Sequence, residues 1–100
     1  MDIIVEELKE RMDSGTAPLV IDVREEYEYD EFNIGVKNIP MGEIVAKLPE
    51  LEAHKNDEIV VHCRSGVRSA NIQAFLKQQG FTNVRNLTGG MLEWQEKFPG

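Results

Sequence analysis

Glu58-Ile59-Val60-Val61-His62-Cys63-Arg64-Ser65-Gly66-Val67-Arg68-Ser69 changes from one periodicity to another within a single short stretch, and that change decides the fold. Its first half is apolar and β-branched, and Lys55-Asn56-Asp57 bounds it upstream, which is the composition of a buried strand. Beyond Gly66, the residues Val67, Ala70, Ala74 and Leu76 recur near helical spacing, Phe75 widens that face, and Gly80 stops it. Strand, tight loop and helix follow one another, and the chain's single cysteine lies where the strand ends.

The first N–H groups of a helix have no partners within it, and with the helix dipole they favour an anion at the N-terminus. A thiol placed there, near Arg64 and Arg68, sits where a thiolate is stabilised. The dipole alone is worth about 0.3 to 1 kcal/mol, whereas one pKa unit needs about 1.4 kcal/mol. Several donors must therefore act together, and Gly66 lets the loop fold inward to supply them. A free cysteine is equally at home as an inert, buried small hydrophobe. Two arginines, two serines and a glycine within six positions of Cys63 are not needed for that role. Both readings stand on the residues alone.

Working outward, Val5, Leu8 and Met12 predict a helix closed by Ser14-Gly15, and Pro18-Leu19-Val20-Ile21-Asp22-Val23 is a continuous apolar run of the kind buried on both faces. Glu25, Glu26, Glu28, Asp30 and Glu31 crowd a short helical turn around Tyr27 and Tyr29, a charge run that reads as a solvated face. Gly35 to Pro40 predicts a third short strand, and Glu43 to Leu48 a helix stopped at Pro49. Asn83 to Leu87 is a further strand, and Gly89-Gly90 opens a last helix carrying Met91, Leu92 and Trp94, which with Phe98 are assigned to the core. The alternation predicts an α/β fold, a small parallel β-sheet flanked by helices on both faces. Ligands of such sheets sit beyond the carboxyl ends of the strands, where Cys63 falls.

One hundred residues suit a single domain spanning 1–100. A hydrophobic content of 41% with 29% charged residues is ordinary for a globular protein. The net charge of −7 argues against nucleic acid or an anionic membrane as partner, so any anion site must be local. One cysteine allows no internal disulfide, which fits a reducing, cytoplasmic setting. Met1 to Glu7 is acidic where a signal peptide is basic, and no apolar run reaches membrane-spanning length. Neither histidine, nor the cysteine, offers metal-ligand spacing, and no cofactor is expected. His62 should face away from Cys63 by strand alternation, and His54 lies in a charged, solvated connection.

Three ordered motifs resemble those of the rhodanese sulfurtransferases. Val20-Ile21-Asp22-Val23-Arg24 with Glu25 and Tyr27 resembles the family's first signature, Cys63 to Ser69 its active-site loop, and Thr88-Gly89-Gly90-Met91-Leu92-Glu93-Trp94 its carboxyl-terminal signature. The chain departs where the family often has Gly-His-Ile before Pro-Gly-Ala: it has Glu31-Phe32-Asn33-Ile34 before Gly35 to Pro40, a difference of packing more than of chemistry. The resemblance implies a rhodanese-like fold and a Cys63 thiolate that attacks the outer sulfur of thiosulfate. Sulfite then leaves, and a persulfide waits for cyanide or a thiol. On that reading the loop N–H groups from Arg64 through Ser65, Gly66, Val67 and Arg68 to Ser69 cradle the charge. Arg64 and Arg68 are the candidates to hold the sulfonate, with a structural ion pair an equal alternative for Arg68. Ser65 and Ser69 either donate hydroxyl hydrogen bonds or cap the helix, and capping is the expectation for Ser69.

Phosphatases of related fold place five residues between cysteine and arginine. Here Arg64, Ser65, Gly66 and Val67 make four, a cradle sized for a sulfur atom and tight for a phosphoryl group. The competing class is a sulfur carrier or regulatory binding module fed by a relay protein, for which retention of Cys63 favours the carrier form.

Overall fold

A computed structural model describes residues 1–99 and builds them around four parallel strands: β1 (Leu19–Asp22), β2 (Lys37–Asn38), β3 (Ile59–His62) and β4 (Val84–Asn86). Five helices connect and cover them: α1 (Val5–Asp13), α2 (Glu26–Glu31), α3 (Ile44–Leu51), α4 (Val67–Gln78) and α5 (Gly90–Lys97). The strand order is β2-β1-β3-β4, so the central pair β1 and β3 carries the most apolar runs, as parallel strands buried on both faces require. Asp22 pairs with His62, and Val61 pairs with Asn86, which brings the carboxyl ends of three strands together beside Cys63.

Alternation along the strands divides the interior into two cores. Ile21, Ile59, Val61 and Cys63 face α3 and α4, where Ile44, Leu51, Ile72 and Leu76 meet them. Val20 and Val60 face the other way, against Val5 and Leu8 of α1 and Met91 and Trp94 of α5. Each such fully buried aliphatic side chain contributes about 1.5 to 3 kcal/mol relative to exposure. The helices on both faces are those the strand and helix alternation predicts. Among the described residues, no helix is long and apolar enough to cross a membrane.

Four local expectations change. The Gly35 to Pro40 strand shrinks to Lys37–Asn38 at the sheet edge, where the Ile39 N–H still donates to the Asp22 carbonyl at 2.9 Å and the Asn38 amide adds bonds to the carbonyls of Asp22 and Arg24 at 3.0 Å. Pro49 lies inside α3 instead of ending it. The N–H it lacks removes one bond to the Val45 carbonyl, on an exposed face of the helix, while buried Ile44 and Leu51 anchor both ends. The packed face of α4 is Ser69, Ile72 and Leu76, and Val67 is 68% exposed at the helix mouth. Leu92 is 47% exposed on the outer side of α5. Trp94 is buried, and half-buried Phe98 meets it edge to face at 5.3 Å.

The segment that departs from the family pattern packs well. Phe32, Ile34 and Val36 lean on the second core, and the Phe32 carbonyl accepts from the Arg24 guanidinium at 2.7 Å. That same guanidinium closes a buried ion pair with Asp22 at 2.8 Å. The N-terminal segment adds to the β4 edge: Ile3 donates to the Asn86 carbonyl at 3.0 Å and accepts from Thr88 at 2.9 Å.

Candidate active site

Cys63 is the first residue beyond β3, and only 1% of it is exposed. The loop after it turns through Gly66, whose φ of +106° lies in the left-handed region that favours glycine. Gly66 occupies the N-cap position of α4 and contributes no capping side chain. The sulfur of Cys63 fills that role. Its Sγ accepts from the Gly66 N–H at 3.1 Å, the Ser69 N–H at 3.4 Å and the Ser69 hydroxyl at 3.3 Å. No acidic residue lies in the first turn of α4 to compete for these donors. Burial pushes the thiol up; the hydrogen bonds from the Ser69 hydroxyl and from the Ser69, Gly66 and Ser65 backbone outweigh it, so the thiol titrates below its ordinary value.

The expectation that Ser69 caps the helix is corrected by this geometry. Ser69 is fully buried, and its hydroxyl lies between Cys63 Sγ and Asn86 Oδ1, the latter at 2.6 Å. A cap must sit before the first turn, whereas Ser69 is already inside it and points back at the sulfur.

A second helix grips the same loop from the other side. At the start of α5, Met91 N–H donates to the Cys63 carbonyl at 3.0 Å and Leu92 N–H to the Arg64 carbonyl at 2.9 Å. This close approach needs Gly90, since a Cβ there would stand 2.5 Å from the Cys63 carbonyl oxygen and 2.6 Å from that of Arg64. The Gly89-Gly90 pair thus docks α5 onto the loop that α4 caps.

Arg68 does not reach outward for a substrate. Its guanidinium makes a bidentate pair with Glu28 of α2, at 2.6 and 2.9 Å, which holds the Glu28 carboxyl down at about 2. The acidic run is therefore only partly a solvated face: Glu28 is turned inward, and it also accepts from the Glu25 N–H at 3.0 Å in a capping box. Arg64 is exposed and pairs with no carboxylate among the described residues. It opens onto a cleft of about 330 Å³ lined also by Arg24, Glu28, Glu31, Phe32, Met91 and Gln95. Ser65 and Val67 are exposed at the rim.

His62 faces away from the sulfur, on the Val60 side of the sheet. Both ring nitrogens are buried without a hydrogen-bond partner, and Nε2 lies 3.8 Å from the Asp22 carboxylate. Burial lowers its pKa to about 4, partly countered by Asp22, so the ring is neutral at pH 7 and makes no contact with Cys63 suited to a general base. His54 is half-buried, and its Nδ1 lies 3.2 Å from the Asp57 carboxylate.

Two residues of this site escape a reading of the sequence. The partnership of Glu28 with Arg68 spans forty positions and leaves no local trace. Asn86 gives one signal: it is an uncharged amide between apolar Val84 and Leu87 in the strand beside β3, where a buried polar group needs a specific partner.

Fold and site together describe a parallel α/β sheet that presents one cysteine sulfur to an array of N–H and O–H donors at its carboxyl edge. The chain belongs to the rhodanese family: the family description Rhodanese-like domain matches residues 4–97. Among its relatives is YtwF of Bacillus subtilis, named as a sulfurtransferase, which is 42% identical over 89 residues covering 88% of this chain and 84% of that protein. YrkF of the same organism, named as a sulfur carrier protein, is 40% identical over 97 residues covering 96% of this chain; the chain spans about half of that protein's length, 51%. The crystal structure of a rhodanese-related protein from Thermoplasma volcanium matches with a TM-score of 0.83 at 34% identity, covering 97% of this chain and 92% of that one. The relatives that share this rhodanese-like domain are thus named as sulfurtransferases and as sulfur carriers.

Proposed function

We propose that Cys63 is the sulfur-bearing nucleophile of a sulfurtransferase that takes sulfane sulfur from thiosulfate or a persulfide donor and passes it to cyanide or a thiol. The observation that carries this reading is the convergence of the Gly66 and Ser69 N–H groups and the Ser69 hydroxyl on Cys63 Sγ. These donors favour the thiolate needed for attack and stabilise it again when it leaves. Once loaded, the outer sulfur carries the charge, and the remaining loop N–H groups from Arg64 to Arg68 cradle it. Arg64 is the free cation of the pair and meets the sulfonate end of thiosulfate, while Arg68 holds Glu28 and shapes the loop from behind. A lone thiol of this kind suits a reducing compartment such as the cytoplasm. The test is release of thiocyanate from thiosulfate and cyanide: the wild type forms it, Cys63→Ser does not, and turnover by the variant overturns the assignment.

A second reading, sulfur carrier fed by a partner protein, is favoured by one feature of the cleft. Arg64 shares it with Glu28 and Glu31, so a free dianion meets carboxylates as well as the one unpaired guanidinium. A donor protein that delivers its persulfide directly avoids that repulsion. Fast loading by a protein persulfide combined with slow turnover of thiosulfate selects this form over the enzyme.

A further inference from the structure

One proton on the Ser69 hydroxyl stands between two acceptors. Its oxygen is 2.6 Å from Asn86 Oδ1 and 3.3 Å from Cys63 Sγ, and a hydroxyl has a single O–H to give. The Asn86 amide cannot turn to relieve the competition, because its Nδ2 donates to the Gly66 carbonyl at 3.1 Å, which presents Oδ1 to the serine. Asn86 is itself held from outside: its N–H donates to Asp2 at 3.2 Å and its carbonyl accepts from Ile3 at 3.0 Å. Asn86 is 8% exposed and Ser69 is fully buried, so no bulk water arbitrates between the two acceptors.

We propose that Asn86 is a positioning residue that draws the Ser69 proton away from the sulfur while Cys63 is a thiol, and releases it to the sulfur when Cys63 is an anion. With a neutral thiol, the S–H donates to Ser69 Oγ and the O–H donates to Asn86, a chain in which every group is satisfied. When the thiol loses its proton, the hydroxyl rotates to the sulfur and Asn86 Oδ1 gives up its partner. Asn86 thereby sets how readily the thiolate forms and keeps it from being over-stabilised, since an anion held too firmly is a poor nucleophile.

The same exchange serves sulfur release, resting on the persulfide reading above. An acceptor thiolate attacks the outer sulfur, the S–S bond breaks, its electron pair goes to Cys63 Sγ, and the hydroxyl swings from Asn86 to the new anion. The acceptor leaves as a persulfide, so charge and atoms balance.

The charged and titratable groups around the sulfur are Arg64 of the loop, Arg68 of α4 with its partner Glu28 of α2, Glu93 of α5 folded back over Gly89, and, beyond the sheet, His62 with the Asp22 and Arg24 pair. Substitutions at Ser69 and Asn86 leave all of them in place, so their effects cancel in a comparison of variants.

The experiment is a pH titration of the thiolate by ultraviolet absorbance: the chain has one cysteine, and Cys63→Ser serves as the blank that removes the tyrosinate signal of Tyr27 and Tyr29. Ser69→Ala should raise the midpoint by about one pH unit, the scale of one hydrogen bond to an anion. Asn86→Leu should lower it, because the hydroxyl then belongs to the sulfur alone; the Gly66 carbonyl keeps its bond from Ala70 N–H at 3.1 Å. In the double variant the midpoint should equal that of Ser69→Ala. A raised or unchanged midpoint in Asn86→Leu, or the same downward shift in the absence of the hydroxyl, overturns the proposal. Asn86→Val, a shorter strand former, replaces leucine if packing is disturbed. No sulfur donor is present in this titration, so a protein that shows these shifts but never accepts sulfur refutes the persulfide reading and leaves the switch standing.

Discussion

His62→Leu should flatten the acid limb of the stability curve. In the folded protein the ring is fully buried with two unpartnered nitrogens, and its pKa falls from 6.5 to about 4. A depressed histidine pKa means that the unfolded chain takes up a proton the folded chain resists. Its contribution to stability is therefore whole above about 6.5 and is lost as the pH falls towards about 4. Glu28 and Glu58, held near 2 by their arginines, cost stability only as the unfolded chain protonates its carboxylates around 4.5, so most of their contribution to the slope falls below that point. Between 6.5 and 4.5 the wild type should lose about 1.4 kcal/mol per pH unit at most, about 2.5 kcal/mol in all. Leucine is close in size and removes both orphan nitrogens, so the variant should match or exceed the wild type at pH 7 and lose little on acidification. Urea unfolding at half-unit steps of pH reads both curves. An equal slope in wild type and variant refutes the assignment of the acid loss to His62, and a stability collapse of the variant at pH 7 refutes the claim that the ring has no polar partner.

Gly90→Ala should cost about 1 to 2 kcal/mol for its left-handed backbone alone, with a further loss as the Cβ displaces the Cys63 and Arg64 carbonyls; denaturant midpoints and thiocyanate release should fall together. Arg64→Ala should raise the KM for thiosulfate about tenfold, the loss expected of one charge-assisted hydrogen bond, while the unfolding midpoint stays within about 0.5 kcal/mol as for exposed positions; unchanged kinetics would return Arg64 to the solvated surface. Glu28→Gln should lower stability above pH 4.5, the range where the Glu28 charge is fully present, and the difference from wild type should vanish as the pH approaches about 2; a difference independent of pH would make the pair with Arg68 a matter of packing.

The central sheet was legible in the sequence because burial on both faces writes continuous apolar runs at Leu19 to Asp22 and Ile59 to His62. The cysteine loop was legible for a different reason: Gly66 and the change of periodicity at Val67 mark a strand meeting a helix N-terminus. Edge elements were read less well. At β2 the pairing with β1 is confined to two residues at the sheet edge, and in α3 Pro49 is accommodated between the buried ends Ile44 and Leu51, both decisions of tertiary context over local propensity. Side-chain roles that depend on a distant partner were the least visible. Ser69 has the composition of a cap and becomes a donor to sulfur only because Asn86 stands opposite it, and Arg68 is tied down by a residue on another helix.

The central claim is that Cys63 carries sulfur as a persulfide. Intact-protein mass after incubation with thiosulfate, in wild type and Cys63→Ser, tests it most directly. A gain of one sulfur atom, confined to the wild type and removed by cyanide, is the predicted result. A gain of equal size in Cys63→Ser would contradict the claim, and so would a folded, reduced wild type that takes up no sulfur from thiosulfate or from a protein persulfide.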